Sequence, residues 1–541
     1  MGGTTMTCGE LLVRLLRDVH GVGTVFGIPG VHTLALYRGL SGSGLRHVSP
    51  RHEQGAGFMA DGYARANGRP GVCFVITGPG LTNMTTAIAQ AYADSVPMLV
   101  ISSVNRRDQL GLGQGRLHEL PDQRGMLAPV TAFSHTLLDP GNLEAVLRRA
   151  FTTFATARPR PVHLEIPLDV LDAPVRAPVA LEAWRPPAPP APDPSSIRRA
   201  AALLAQAGRP VVLLGGGCRW SPGAARDLVE RLGAPVITTS NAKGLLPVGH
   251  PLDLGVSAAQ EPVREMVRAA DVVLAVGTEI GETDYDTVFD DGFRIEGGLV
   301  RIDIDPAQLQ GRYAAALGIV ADAGAAMEAL AAALPAPLLD GAGTARAGAV
   351  RTASRRDEPA EWAGYRMLFE TIYQALDDPV LVGDSTLPVY AGNTVAEPPV
   401  PAAWFNASTG YGTLGYALPA AIGARLAVAP RPVVALVGDG GLLFTLPELI
   451  SAVEAGAPVI VLLWNNRGYE AIRRFMDAGG IKRTGVDLAM PDFRLLAAGL
   501  QCLHASVATP ADLAEALPGA GMAASPTVIE IDAGQWMQVC G

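Results

Sequence analysis

Two turns in the last third of the chain carry residue types that could hold a charged ligand. Gly438-Asp439-Gly440-Gly441 closes the apolar run PVVALVG, and Asn465-Asn466 closes the next run, PVIVLLW. If both runs are buried strands of one parallel sheet, both turns open on its carboxyl edge, where ligands bind. An Asp, an amide oxygen and a backbone carbonyl are hard donors suited to Mg²⁺, and the glycines let backbone approach a phosphate. Gly-Asp-Gly and Asn-Asn are also ordinary turn sequences. Their placement at successive strand ends favours the ligand reading.

A second candidate is Glu53, near the head of RHEQGAGFMADGYAR (51–65), a stretch that reads as a close-packed helix of small residues. A carboxylate in a first helical turn favours the helix dipole by about 0.3–1 kcal/mol when exposed. Spacing alone supports that capping role. In an apolar setting, though, a carboxyl pKa rises toward neutrality and the group can exchange a proton.

The elements that must position these residues are α/β. At 541 residues the chain is too long for one core, and 49% hydrophobic against 17% charged residues suits a large, well-buried enzyme. Net charge is −10 with no basic run, so no nucleic-acid partner is expected. Five scattered cysteines, no signal-peptide core and no bilayer-length apolar run give the expectation of a cytoplasmic protein without a membrane partner. Buried strands are expected at 72–77, 97–103, 210–216, 272–277, 432–438 and 458–464, alternating with helices. Proline-rich 184–192 and a stretch around Pro335 to Glu361 read as linkers, giving domains at 1–183, 196–335 and 360–541.

The outer domains echo each other. GYAR at 62–65, Arg69-Pro70, a strand and Gly78-Pro79-Gly80 match Gly423-Ala424-Arg425, Arg431-Pro432, a strand and Gly438-Asp439-Gly440. Pro79 and Ser102-Ser103 in the first copy stand where the second has Asp439 and Asn465-Asn466. This implies a duplicated fold in which one copy has gained oxygen ligands.

Gly438-Asp439-Gly440 followed by Asn465-Asn466 resembles the thiamine diphosphate motif of the pyruvate oxidase, acetolactate synthase and 2-oxoacid decarboxylase superfamily. The likeness runs over nearly the whole chain. It implies a pyrimidine-binding domain, a Rossmann-like central domain and a diphosphate-binding domain, each a mainly parallel sheet flanked by helices. By that resemblance Asp439, the Asn466 side chain and the Gly468 carbonyl hold Mg²⁺, with Gly438, Gly440, Gly441, Ser385 and Thr386 around the diphosphate. Tyr411-Gly412-Thr413-Leu414-Gly415 is similar to the loop that receives the aminopyrimidine. Gly412 there offers its carbonyl, and an apolar side chain at Leu414 bends the cofactor into a V. His52-Glu53-Gln54-Gly55 resembles the family's catalytic glutamate motif, in which the carboxyl bonds a pyrimidine nitrogen and so helps remove the thiazolium proton. Because the family builds each site from two subunits, a homodimer is the minimum expected unit and a homotetramer the expected assembly.

For the reaction, the resemblance implies a small 2-oxoacid substrate. The synthase's Gly-Met-His-Gly stretch is replaced by Gly255-Val256-Ser257-Ala258-Ala259, and Gly215-Gly216-Gly217-Cys218 is equally a tight turn, so FAD is not expected. Leu117-His118-Glu119 replaces the synthase's Phe-Gln-Glu, and its later tryptophan is missing from Tyr469-Glu470-Ala471-Ile472-Arg473. These differences favour non-oxidative decarboxylation to an aldehyde and CO₂ over acetolactate-type carboligation. His118, and His32 in Gly27-Ile28-Pro29-Gly30-Val31-His32, are candidate proton donors; each could equally be a surface histidine. Gly30, Val31 and Glu470 are expected at the substrate. The chain resembles 5-guanidino-2-oxopentanoate (2-ketoarginine) decarboxylases, whose guanidinium would suit a carboxylate such as Glu470. Benzoylformate and branched-chain 2-oxoacids are the competing substrates.

Overall fold

The computed structural model describes residues 5–176, 181–286, 290–335 and 341–541. All six runs expected as buried strands are strands, with ends displaced by no more than two residues. They lie in three parallel sheets, each flanked by helices, because runs of Val, Ile and Leu buried on both faces need a cover on each side.

From edge to edge the first sheet runs Arg46–Val48, Thr24–Gly27, Gly71–Val75, Met98–Val104, Val162–Pro167, Phe133–Thr136. The last runs Trp404–Asn406, Val380–Gly383, Val433–Gly438, Ile460–Asn465, Thr527–Asp532, Leu503–Val507. Taken in chain order, both place the second strand outermost, then the first, third, fourth, sixth and fifth. The echo in the sequence is therefore a repeat of topology. Between them sits a five-stranded sheet, Val236–Thr238, Val211–Leu214, Val272–Val276, Gly298–Asp303, Leu317–Val320, also wholly parallel.

Helix Glu53–Asn67 packs directly on helix Ala417–Val428, its counterpart in the second copy. A methyl added to Gly62 would lie 2.0 Å from the Ala420 carbonyl oxygen, and one added to Gly423 would lie 1.8 Å from that of Met59. The contact is reciprocal: the step along the chain from Gly62 to Gly423 is also the step from Met59 to Ala420. Two equivalent helices thus meet backbone to backbone across a local twofold. One continuous core containing Phe58, Met59, Leu418 and Ile422 joins the two domains there.

A buried ion cluster closes the junction with the central domain. The Arg65 guanidinium, 1% exposed, donates to Asp61 at 2.6 Å, Asp94 at 2.7 Å and the Asn241 amide oxygen at 3.2 Å. Tyr416 in turn donates its hydroxyl to Asp61. Each buried charge is thereby paired and hydrogen-bonded, which burial requires.

Trp184, heading the proline-rich stretch, donates its backbone N–H to Val19 and packs beside Phe151, so that stretch is anchored where it leaves the first domain. The second stretch expected as a linker is largely helical over Ala342–Arg356, its Ala, Arg and Thr content having served helix formation rather than a flexible chain. Its residues 336–340, like 1–4 and 177–180 of the expected first domain and 287–289 of the central one, lie outside the described residues. Among the described residues no helix is long and apolar enough to cross a membrane.

Because no side chain fits the helix contact, Gly423→Val should lower stability by about 1–3 kcal/mol or more, read from urea unfolding. Gly519→Ala, in helix Pro510–Met522 with nothing near the added methyl, should be neutral or gain about 0.5–1 kcal/mol.

Candidate active site

Asp439 opens helix Asp439–Thr445 directly after its strand and is 1% exposed. Its carboxylate accepts the N–H of Gly440 at 2.6 Å and that of Gly468, from the turn after the neighbouring strand, at 3.1 Å. Burial pushes its pKa up, while those N–H groups pull it back. The Asn466 side-chain oxygen is buried and has no hydrogen-bond partner. An orphaned carbonyl oxygen costs energy unless something else binds it, and a hard cation held with Asp439 and the Gly468 carbonyl would do so. The residues present therefore fit Mg²⁺. Asn465, the other half of the pair, instead turns its amide to Glu530 at 2.7 Å. Close approach explains two glycines: a methyl at Gly440 would lie 2.5 Å from the Tyr469 ring, and one at Gly438 would lie 2.9 Å from the Thr386 hydroxyl.

Ser385 and Thr386 lead into helix Leu387–Val395 on the same edge. Asp384, just before them, is fully buried and organises the whole edge. It accepts the N–H groups of Ser385 at 2.8 Å, Gly415 at 3.2 Å and Ala417 at 3.1 Å. Its burial pushes the carboxyl pKa up to about 6, against the pull of those donors. Asp384 thus fastens the Ser385-Thr386 loop to the loop of Gly412 and Leu414. Leu414 is half-buried and Gly412 exposed, with φ of +74°.

Glu53 is the first residue of its helix, after His52, whose ring nitrogen accepts the Gln54 N–H at 3.2 Å. The Glu53 carboxylate accepts the Asn83 amide at 2.9 Å and lies against Gly80, in the first turn of helix Pro79–Ala93. Its backbone is aimed by Glu448, a buried carboxylate 397 residues from Arg51, which accepts the N–H groups of Arg51 and His52 at 3.0 and 3.1 Å. Burial raises the Glu448 pKa.

The structure brings His118 and His32 to the same wall. Their ring centroids are 5.2 Å apart, and the Nδ1 atom of each is buried without a partner. Burial, then the neighbouring His118, holds the His32 pKa below its ordinary value. His118 has φ of +60°, and its carbonyl would lie 2.5 Å from a methyl on Gly78, beside the helix start that meets Glu53. Glu119 fixes this loop by accepting the N–H groups of Gly113 at 2.8 Å and Arg116 at 2.9 Å. Gly30 packs on Ile76, and Val31 is exposed. Glu470 lines a cavity of about 760 Å³ with Asn466, but its carboxylate is held at 3.2 Å by both Arg473 and Arg474. In the central domain Gly216 and Gly217 line a cavity of about 340 Å³ at the switch point of the sheet.

Three carboxylates that shape the site have no counterpart in the sequence reading. Asp384 could have been found, since VGDST repeats the pattern of a Gly-Asp after an apolar run. Glu448 and Glu165 give no local signal. Glu165 belongs to a buried network in which Gln123 donates to Glu165 at 3.3 Å and Ser102 at 3.1 Å while its carbonyl holds the Gly78 N–H at 2.9 Å. His163, fully buried between the hydroxyls of Ser102 and Ser134 at 2.8 Å each, completes it.

Two domains of one topology, one carrying Asp439 and the unpartnered Asn466 oxygen at its sheet edge and the other Glu53, are the fold of thiamine diphosphate-dependent enzymes. Residues 6–126 match the thiamine pyrophosphate enzyme N-terminal TPP binding domain, 197–330 the central domain and 386–531 the C-terminal TPP binding domain. The chain belongs to this enzyme family. It is 48% identical, over 94% of its length and 90% of the relative's, to a protein of Pseudomonas aeruginosa named a probable 2-ketoarginine decarboxylase. It is 32% identical to a probable acetolactate synthase large subunit of Methanocaldococcus jannaschii, covering 97% of this chain and 92% of that one. A solved structure of a proposed thiamin diphosphate-dependent enzyme from Mycobacterium smegmatis superposes with a TM-score of 0.81 at 25% identity, covering 98% and 99% of the two chains.

The buried network makes a pH prediction. Burial pushes the His163 pKa down to about 3, so the folded protein keeps this ring neutral while the unfolded chain takes up a proton below about pH 6.5. The unfolded state then binds more protons, and stability falls with pH. Between pH 6.5 and 5 the stability of the native protein relative to His163→Gln should fall by about 1.6 kcal/mol, read from urea unfolding at each pH.

Proposed function

We propose that this chain decarboxylates a 2-oxoacid to an aldehyde and CO₂ without oxidation, using thiamine diphosphate and Mg²⁺, with 5-guanidino-2-oxopentanoate as the substrate. The observation that carries the reaction type is the His32–His118 pair on the wall of Glu53. Non-oxidative release of an aldehyde needs a proton delivered to the carbon that loses CO₂, and a carboligase has no use for one there. The Nδ1 atom of each ring is buried without a protein partner, and burial holds His32 below its ordinary pKa, which suits a proton donor. The substrate rests on the relative at 48% identity.

When bound, thiamine diphosphate supplies a carbon nucleophile and a sink for the electrons left by CO₂. In this reading Asp439, Asn466 and the Gly468 carbonyl hold Mg²⁺. Ser385, Thr386, Gly438, Gly440 and Gly441 border the diphosphate, and Gly412 and Leu414 seat the pyrimidine. Glu53 holds a proton at the pyrimidine nitrogen, with Asn83 fixing its rotamer. Gly30 and Val31 border the substrate with the two histidines. Glu470 stands at the far side, and a guanidinium tail would have to displace Arg473 or Arg474 from it.

The reading includes domains at 1–183, 196–335 and 360–541, a cytoplasmic location consistent with five free cysteines, and a homodimer that assembles into a tetramer. Large exposed apolar side chains rim both half-sites: Val31, Leu34 and Leu117 near the histidines, Tyr411 and Phe444 near Leu414. A twofold pairing would cover both rims and join one chain's Glu53 to its partner's cation site.

A second reading, acetolactate-type carboligation, is favoured by the synthases at 32% identity. A decarboxylation screen over 2-ketoarginine, pyruvate, benzoylformate and 2-ketoisovalerate separates them: aldehyde from 2-ketoarginine is expected, and acetolactate from pyruvate would overturn the first reading. Glu53→Gln should keep the cofactor bound while turnover drops about 10²–10⁴-fold. Asp439→Ala should lose cofactor affinity by at least about tenfold, measured by calorimetry with Mg²⁺.

A further inference from the structure

Leu414 stands between two anchored neighbours. On one side the Thr413 hydroxyl donates to the Gln90 side-chain oxygen at 3.0 Å, and the Thr413 N–H points to the same oxygen at 3.4 Å. The Thr413 carbonyl also accepts the Ser385 hydroxyl at 3.2 Å. On the other side the Gly415 N–H donates to Asp384, and the Gly415 carbonyl accepts the Thr445 hydroxyl at 2.9 Å. Gln90 and Asp384 are both fully buried, and they come from different domains.

Gln90 is itself immobilised. Its amide nitrogen donates to Asp94 at 2.7 Å, and Asp94 takes the Arg65 guanidinium and the Thr409 hydroxyl. Thr409 belongs to the same loop as Leu414. An apolar residue that only filled space would need none of this: packing alone would seat it at lower cost than these buried polar groups. Fully satisfied polar networks fix one geometry where apolar contacts tolerate several.

We propose that Gln90 and Asp384 are positioning residues that clamp Leu414 from two domains and so set the angle at which the pyrimidine is presented for removal of the thiazolium proton. This rests on the thiamine diphosphate reading above. Gln90 and Asp384 touch neither reacting atom; they act through the backbone on either side of Leu414. The diphosphate end is held by the Asp439 loop and by the Ser385 loop, which Asp384 rather than Gln90 fastens, so weakening the Gln90 side of the clamp changes ring geometry more than affinity.

The test uses the full-length protein with thiamine diphosphate and Mg²⁺. It compares Gln90→Leu and Thr413→Val with Thr413→Ser, which keeps the hydroxyl. Three quantities are read: calorimetric cofactor affinity, the near-ultraviolet circular dichroism of the bound cofactor, and exchange of its thiazolium proton for deuterium by NMR. In Gln90→Leu and Thr413→Val exchange should slow by about 10–100-fold with an altered dichroism, affinity should stay near that of the native protein, and Thr413→Ser should restore both. Unchanged exchange in both variants, failure of Thr413→Ser to restore it, or affinity falling in step with exchange would overturn the clamp. A native protein that takes up no thiamine diphosphate would defeat the cofactor reading itself, and the clamp with it.

Discussion

The fold is organised around one contact, the reciprocal approach of helices Glu53–Asn67 and Ala417–Val428 at Gly62 and Gly423. Two backbones can come this close only where both carry glycine at the crossing. Everything on the carboxyl edges of the outer sheets is referenced to that crossing, because each helix leads away from a loop of the site. Glu53 heads one helix, and the Leu414 loop runs into the other.

The twofold character of the crossing has a chemical counterpart. The step along the chain that carries Gly62 to Gly423 carries Glu53 to Leu414. The two residues proposed to meet the pyrimidine, Glu53 at a proton and Leu414 under the ring, thus occupy the same position in the two copies. Likewise the helix start at Pro79 corresponds to the one at Asp439, while the strand ends align Asn465-Asn466 with Val104-Asn105, two residues beyond the Ser102-Ser103 pair that the sequence echo suggested. Duplication supplied two identical edges, and substitution at a few strand ends gave them different work. The first copy kept a neutral serine, glutamine and histidine network beneath its glutamate, while the second acquired a carboxylate and an orphaned amide oxygen.

Much of this was legible in the sequence because it is local. Buried parallel strands announce themselves as apolar runs, and Asp439 and Asn466 sit at the ends of two of them. Glu53 could be located but not interpreted from spacing, since a carboxylate at a helix start has the same pattern whether it caps or reacts. Glu448 was invisible because its effect on Arg51 and His52 crosses 397 residues, and the pairing of His32 with His118 because two separate loops must fold to create it. The region after Pro335 misled for a different reason: Ala and charged residues serve an exposed helix as readily as a linker. Glu470 was found at the expected edge, but the arginines that occupy it lie on its own helix, three and four residues on, where only the folded side chains reveal the pairing.

The Glu448 contact also constrains the order in which the protein can be made. At ordinary translation rates the ribosome takes roughly half a minute to add the residues that separate the first domain from its partner helix. Throughout that interval the N–H groups of Arg51 and His52 lack their carboxylate, and the glycine-bearing face of helix Glu53–Asn67 lacks the surface it is shaped to meet. The nascent first domain is therefore complete in topology but unfinished on the side that will do chemistry. It acquires its reactive geometry only when the last third of the chain arrives.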